Sequence, residues 1–280
     1  MRKLFYLSLI LGLFVIFGVS SASALSTEDI AKASTLEEIL KRGELRVGLE
    51  AGYQPFEMQD KKGNIVGFDV DMAYELGKAI FGKGGEKKVK IINTAWEGII
   101  PALMTHKFDI IMSGMTILLS RNLMVNFCDP YYFIGQCLLV NKKNKGKIKS
   151  YKDLNKKGII ITTKLGVTGQ FTAERLMPKA TLRLFKTEAE GALQVANGLA
   201  DAFIYDEPQV RVFAAKYKAT CFGIFEPLTY EPLGWAIRKG DPDFLNFLNN
   251  FLRQVRGDGR WEKLKQKWMV DYIEKVAREQ

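Results

Sequence analysis

From Leu45 onward, short apolar runs alternate with stretches whose apolar residues recur every three or four positions. The runs Leu45–Leu49, Val89–Asn93, Phe108–Ser113, Cys137–Asn141, Gly158–Thr163, Thr181–Phe185, Asp201–Tyr205 and Gly234–Arg238 predict strands. Most are continuously apolar, as strands covered on both faces are. Between them, Asp69–Phe81 carries Val70, Ala73, Leu76 and Ile80 on one face and predicts a helix. Trp96–Met104 predicts another behind a cap at Thr94, and Asp241–Arg256 and Gly259–Val276 predict two more at the end of the chain. Two capping boxes mark helix starts. Thr35-Leu36-Glu37-Glu38 opens a helix ending near Gly43, and Thr187-Glu188-Ala189-Glu190 opens one reaching about Leu199. Strands alternating with helices predict an α/β fold with mainly parallel sheets. A length of 280 residues suits two such lobes.

The first residues follow a different pattern. Met1-Arg2-Lys3 precedes an apolar stretch from Leu4 to Val19, and Ala22-Ser23-Ala24 closes it. Positive start, apolar middle and small-residue end predict a Sec-type signal peptide over residues 1–24, cut after Ala24, and hence an exported protein. A retained anchor is the alternative, but the stretch is shorter than the roughly 20 residues that span a bilayer. The first cysteine is Cys128, so no lipid attachment residue lies near the cut.

Composition narrows the classes. Hydrophobic residues at 47% and charged residues at 26% exclude a disordered or collagen-like chain. The net charge is +10, and the cut removes Arg2 and Lys3 from it. Eight lysines fall within Lys142–Lys157 without interleaved aromatics or arginines, which reads as a solvated face and not as a nucleic-acid patch. His106 stands alone, and no cysteine pair has zinc spacing, so no metal and no cofactor are expected. Cys128, Cys137 and Cys221 are odd in number and read as small buried hydrophobes. The glycines around Gly166 lack the spacing of a phosphate loop.

Four local patterns remain. They are Val47-Gly48-Leu49-Glu50-Ala51-Gly52-Tyr53-Gln54-Pro55-Phe56 with Gly67-Phe68-Asp69-Val70-Asp71; Trp96-Glu97-Gly98-Ile99-Ile100-Pro101-Ala102-Leu103; Ser113-Gly114-Met115-Thr116 with Arg121 and Phe127-Cys128-Asp129-Pro130-Tyr131-Tyr132; and Lys164-Leu165-Gly166-Val167-Thr168-Gly169 with Ala200-Asp201-Ala202-Phe203-Ile204-Tyr205-Asp206. In this order and spacing the set resembles the periplasmic solute-binding proteins of polar amino-acid ABC transporters, bacterial solute-binding family 3, over roughly residues 36–272. The resemblance implies a type II periplasmic-binding-protein fold, with two lobes of mainly parallel sheet flanked by helices and joined by a two-strand hinge. Lobe 1 would be residues 25–132 and 232–280, and lobe 2 residues 136–229, with hinges about 133–136 and 230–233. It further implies a monomer that is not an enzyme. Its partners would be a free amino acid and an ABC permease in the inner membrane, not a nucleic acid.

A free amino acid brings a carboxylate and an ammonium, and moving both out of water is costly unless each is paired. By resemblance Arg121 takes the carboxylate, a role suited to a bidentate guanidinium. The ordinary alternative is a solvated surface charge. Thr116 and Thr168 would add hydroxyl and backbone donors, or else act as turn and cap residues. Ser113 counts among the ligand-binding positions of the same motif. The family often has Thr or Ser where Leu118 stands and Glu where Ser120 stands, a departure that leaves Arg121 intact. Asp206, at the end of an apolar strand, would pair with the ammonium, helped by the Gly114 carbonyl. Alternatively it caps the helix that opens at Glu207-Pro208. Tyr53 and Trp96 match the aromatics that sandwich the ligand side chain, core packing being the alternative. Glu50 matches a position facing that side chain, and a carboxylate there suggests lysine or arginine. Glutamine, histidine and cystine stay open. Lys164 matches a cleft position too, and works against a cationic ligand unless it points away or pairs with Glu50. The competing class is an exported lyase or dehydratase on the same scaffold, with Glu50 or Asp206 as general acid.

Overall fold

The structure is a computed structural model that describes residues 34–279. The expected signal peptide lies outside the described residues. Two five-stranded sheets organise the chain. The first runs in the order Val89–Asn93, Leu45–Leu49, Ile110–Ile111, Ala236–Ile237, Asn126–Phe127. The second runs Thr181–Phe185, Ile160–Lys164, Ala202–Asp206, Gln136–Asn141, Cys221–Ile224.

The sheets share one design. In the first, the strands at Val89, Leu45 and Ile110 pair in parallel, while Ala236–Ile237 is antiparallel to both its neighbours. In the second, the strands at Thr181, Ile160 and Ala202 pair in parallel, while Gln136–Asn141 is antiparallel to both of its neighbours. Each sheet therefore points four strands one way and one strand the other. The reversed strand is the one by which the chain arrives from the opposite lobe. The forward strands end facing the cleft between the lobes, so a chain arriving from that cleft can only run away from it. The two crossings pair with each other as a ribbon, Tyr132–Ile134 running antiparallel to Glu231–Leu233.

The continuously apolar runs have both faces covered, as expected. Leu139 and Phe203 join a core that continues through Tyr205 and Tyr53 to Phe68 and Trp235 of the first lobe. Their strand neighbours Leu138 and Ile204 point to the opposite face and pack with Ile161, following the two-residue period of a strand. Ile99, Leu103, Phe108 and Ile111 fill the outer face of the first sheet.

Helix starts differ from the sequence reading in two places. Ser34, not Thr35, caps the helix Thr35–Arg42, with its hydroxyl accepting from Leu36 N. The Thr35 amide donates instead to Asp241 Oδ2 at 2.6 Å, and Asp241 also caps the helix Pro242–Gly257 by accepting from Phe244 N. Thr94 does not cap the helix Trp96–Met104, because the Trp96 amide donates to Glu50 Oε1 at 3.2 Å. The box at Thr187 forms as read, with Glu190 N donating to the Thr187 hydroxyl and Thr187 N to the Glu190 carboxylate.

The predicted helix over 259–276 is broken into Arg260–Lys265, a wide π turn Gln266–Asp271, and Tyr272–Arg278. Expected with lobe 1, this last helix packs on Glu207–Lys216 of lobe 2. There Lys218 Nζ donates to Ala277 O at 2.9 Å. It also holds lobe 1 through Tyr272 Oη, which donates to Gln54 Oε1 at 3.2 Å. Cys128, Cys137 and Cys221 are buried and free. Burial pushes the Cys128 and Cys137 thiols up to about 12. The eight lysines of 142–157 are all exposed. Among the described residues no helix is long and apolar enough to cross a membrane.

Candidate functional site

Forward strands in both sheets deliver their last residues to the cleft, the place where open α/β sheets hold ligands. Glu50 follows the strand Leu45–Leu49, Ser113 and Gly114 follow Ile110–Ile111, and Lys164 and Asp206 end their strands. Helix starts supply Trp96 and Thr168. A tight turn supplies Tyr53, the loop leading into the short helix Leu119–Asn122 supplies Thr116, and that helix supplies Arg121. One cavity is lined by all ten residues singled out from the sequence, together with Glu57, Val167 and Tyr205. The space enclosed among them is about 30 Å³. That is the size of a water or two and not of an amino acid, so a ligand of that size enters only if the lobes part.

Asp206 is the most constrained of the charges. Its backbone stands at the N-cap position of Glu207–Lys216, but its side chain makes no cap hydrogen bond. Instead Oδ2 accepts from the Tyr53 hydroxyl at 2.5 Å across the cleft, and Oδ1 accepts from Gln136 Nε2. Gln136 is the residue directly opposite Asp206 in the antiparallel pairing, and its Nε2 also donates to the Thr168 hydroxyl at 3.1 Å. Burial lifts the Asp206 carboxyl to about 7, and Glu231 adds to the lift, while Tyr53, Gln136 and Arg121 oppose it. Such a group is poised to ionise when a second cation arrives.

Arg121 Nη1 donates to Thr116 O at 2.9 Å, and its guanidinium lies over the Trp96 ring at 5.1 Å. Burial holds its pKa below the usual arginine value. One expectation needs correction here. The Thr116 hydroxyl donates to Glu231 Oε2 at 3.0 Å, so it is committed to the inter-lobe ribbon. A donor role at that position falls to its backbone. Thr168 begins a nine-residue helix whose N-terminus carries partial positive charge toward the cleft.

Tyr53 serves two of the readings at once. Its ring stacks on Phe56 in the core at 4.8 Å, and it also lines the cavity. Gly114 sits directly against that ring: it has φ +48°, and a Cβ added there would fall 2.1 Å from Tyr53 Cε1. Trp96 bridges the lobes, its indole N–H donating to Gly166 O at 3.1 Å. Lys164 pairs with Glu50 across the cleft, one of the two ways its presence was expected to be reconciled. Burial would lower the Lys164 ammonium, but Glu188 and Glu50 together outweigh it and hold the group above the usual lysine value. Behind Ser113, the buried Glu57 carboxyl accepts from the Ser113 hydroxyl at 2.6 Å. Burial, and then the neighbouring Asp69, raise it well above the carboxylate range.

Glu57, Val167, Tyr205, Gln136 and Glu188 are the cleft residues that sequence reasoning misses. Tyr205 and Val167 adjoin residues that it does name. Gln136 is found only once strand pairing is known. Glu188 reads as part of a capping box, which it is, and the box gives no sign of where its carboxylate points.

Comparison with known proteins agrees with this architecture. A binding component of an ABC transporter from Wolinella succinogenes, complexed with lysine, is 53% identical with TM-score 0.78, over 82% of this chain and 97% of that one. The ancestral amino-acid-binding protein AncCDT-1, a precursor of cyclohexadienyl dehydratase, is 48% identical with TM-score 0.77, over 84% of this chain and 100% of that one. The ABC transporter glutamine-binding protein GlnH of Bacillus subtilis is 31% identical over 278 residues, 97% of this chain and 98% of that one. With residues 45–271 matching the family as a whole, the chain belongs to the bacterial extracellular solute-binding proteins, family 3.

Proposed function

We propose that this protein captures a free cationic amino acid, lysine or arginine, and delivers it to the inner-membrane permease of an ABC importer. The observation that carries this reading is the placement of opposite charges on opposite walls of one closed cleft, with Arg121 on lobe 1 and Asp206 on lobe 2. An α-carboxylate placed between Arg121 and the start of the helix Thr168–Leu176, with its ammonium on Asp206, leaves no buried charge unpaired. The side chain then runs past Tyr53 and Trp96 toward Glu50. With Glu57 kept protonated by its burial and by Asp69, the lining carboxyls that can carry charge are Glu50 and Asp206 against the cations Arg121 and Lys164, and Glu188 behind Lys164 tips that balance toward a cationic ligand over an anionic one. The lysine held by the Wolinella succinogenes protein supports the same choice.

Closure couples binding to transport. The ligand touches both lobes, so it stabilises the closed form by its differential affinity for that form, and the permease reads that form. The hinge at 133–136 and 230–233 absorbs the motion, a reading supported by the two-stranded ribbon that these segments form. Exported by its signal peptide, the protein works in the periplasm. A clamp that holds both the ammonium and the carboxylate fits retention of a whole amino acid and not its conversion.

Thermal shift of the purified protein, stripped of ligand by partial unfolding and dialysis, tests this against the twenty amino acids, ornithine and cystine. Lysine or arginine at about 100 times Kd should add about 2.7 kcal/mol of stability and raise Tm accordingly. A shift with glutamine, histidine or cystine alone would keep the capture role and discard the cationic choice. No shift with any amino acid would overturn the function and call for a product assay for lyase or dehydratase activity.

A further inference from the structure

Lys164 is held from two sides. Glu50 pairs with it from lobe 1, and Glu188 Oε2 lies 3.3 Å from its ammonium on lobe 2. The Lys164 and Glu188 side chains are each 4% exposed, against 23% for Glu50. Glu188 does not line the cavity; it stands behind Lys164 as the first residue of the helix Glu188–Ala196. The capping box at Thr187 and Glu190 fixes that helix start. The other oxygen of Glu188 reaches lobe 1 at Gly52, where an added Cβ would lie 2.5 Å from Oε1. A larger residue at position 52 would push that carboxylate away.

The charge balance follows from this arrangement. Lys164 against Glu50 alone would make a neutral pair, a wall suited to an uncharged side chain such as that of glutamine. Two carboxylates sharing one ammonium leave the group with one net negative charge. Glu188 is buried and Glu50 is the more exposed of the two, so the side open to the cavity carries the surplus. A ligand ammonium or guanidinium arriving beside Trp96 completes a four-charge array in which the signs balance. An anionic side chain would add a like charge instead.

We propose that Glu188 is a positioning residue that sets the charge class of the ligand: by sharing Lys164 with Glu50, it frees Glu50 to receive a cationic side chain. The proposal rests on the cationic reading above and names the part of the cleft that produces it.

The test compares the binding of lysine, arginine and glutamine by calorimetry in the wild type, Glu188→Gln and Glu188→Asp. In Glu188→Gln the lysine-over-glutamine preference should fall by about tenfold. The fall should come from weaker lysine binding while glutamine binding is kept or improved, a split that general loss of structure would not produce. Glu188→Asp keeps the charge and should keep the preference. An unchanged ratio in Glu188→Gln overturns the proposal. Should that variant fail to fold, Lys164→Met reads the same balance from the other side. There the lysine preference should rise, and an unchanged or lower ratio is again fatal to the idea. A wild-type protein without any lysine preference removes the cationic reading and this proposal together, and that result is visible before any variant is made.

Discussion

In the proposed binding mode, one end of the cleft, with Arg121 and Asp206, takes the groups that every amino acid carries, and the other, with Glu50 and with Lys164 backed by Glu188, takes the part that differs from one amino acid to the next. The first end is furnished with neutral donors from short, fixed elements: Gln136 set by strand register, Thr168 by a helix start, Tyr53 by a turn. Its two charges lie on different lobes and make no direct ion pair with each other. The second end is built from long charged side chains that already satisfy one another, Lys164 pairing with Glu50 between lobes and with Glu188 within lobe 2. On this reading the constant groups meet side chains fixed by hydrogen bonds to one another, and the variable group meets charges that can trade partners. A change at the first end should therefore alter affinity for all amino acids alike, and a change at the second should alter their ranking.

The largest expected effect breaks the first end. Arg121→Ala or Asp206→Ala should each weaken every amino acid by about two orders of magnitude or more, because each leaves a buried ligand charge unpaired. Calorimetry with lysine and glutamine reads this, and a variant that loses one ligand and keeps the other would erase the distinction between the ends.

The next effect is one of pH. Burial raises Asp206 to about 7, so the folded protein keeps a proton there that the unfolded chain releases near its ordinary value. The stability contributed by the protonated group is therefore present at low pH and is lost as pH rises toward about 7. The ligand ammonium needs the ionised form. Affinity should thus fall by up to about tenfold for each pH unit below about 7, with proton release on binding. Calorimetry in buffers of different ionisation enthalpy measures that release, and Asp206→Asn should abolish it. An affinity flat across this range would mean that Asp206 is already ionised.

The smallest effect sharpens the comparison from outside both ends. Ser113→Ala removes the hydroxyl that donates to Glu57 and accepts from Glu50 N at 3.1 Å. It should cost about 1–2 kcal/mol of stability in denaturant titration, with little change in ligand ranking. A large change in ranking would make Ser113 part of the side-chain end.

Much of this site is legible without coordinates. All ten residues chosen from the sequence line one cavity, because each lies at or near a strand end or helix start and apolar runs mark those ends well. What escapes depends on contacts between distant segments. The helix Trp96–Met104 takes its cap from Glu50, 46 residues earlier, where local pattern points to Thr94. The helix Thr168–Leu176 escapes because Gly166 and Gly169 flank its start and weaken the helical pattern. The strand expected over Phe108–Ser113 shrinks to Ile110–Ile111. At one end Asp109 turns to Arg46, and at the other Gly114 takes a left-handed φ that ends the extended backbone. Gln136 and Glu188 act only through partners on other elements.

The C-terminal helix has a mechanical consequence. Two hinge segments alone leave a pair of rigid bodies free both to bend and to twist. The helix Tyr272–Arg278 adds a third attachment, gripping lobe 2 at Lys218 and lobe 1 at Gln54. Three separated attachments remove a degree of freedom: twisting would shear the helix off one of its supports, while a single bending axis leaves both in place. The π turn Gln266–Asp271 just before it is the natural point of give. A closure that bends about that single axis would bring side chains from opposite lobes together in the same register each time.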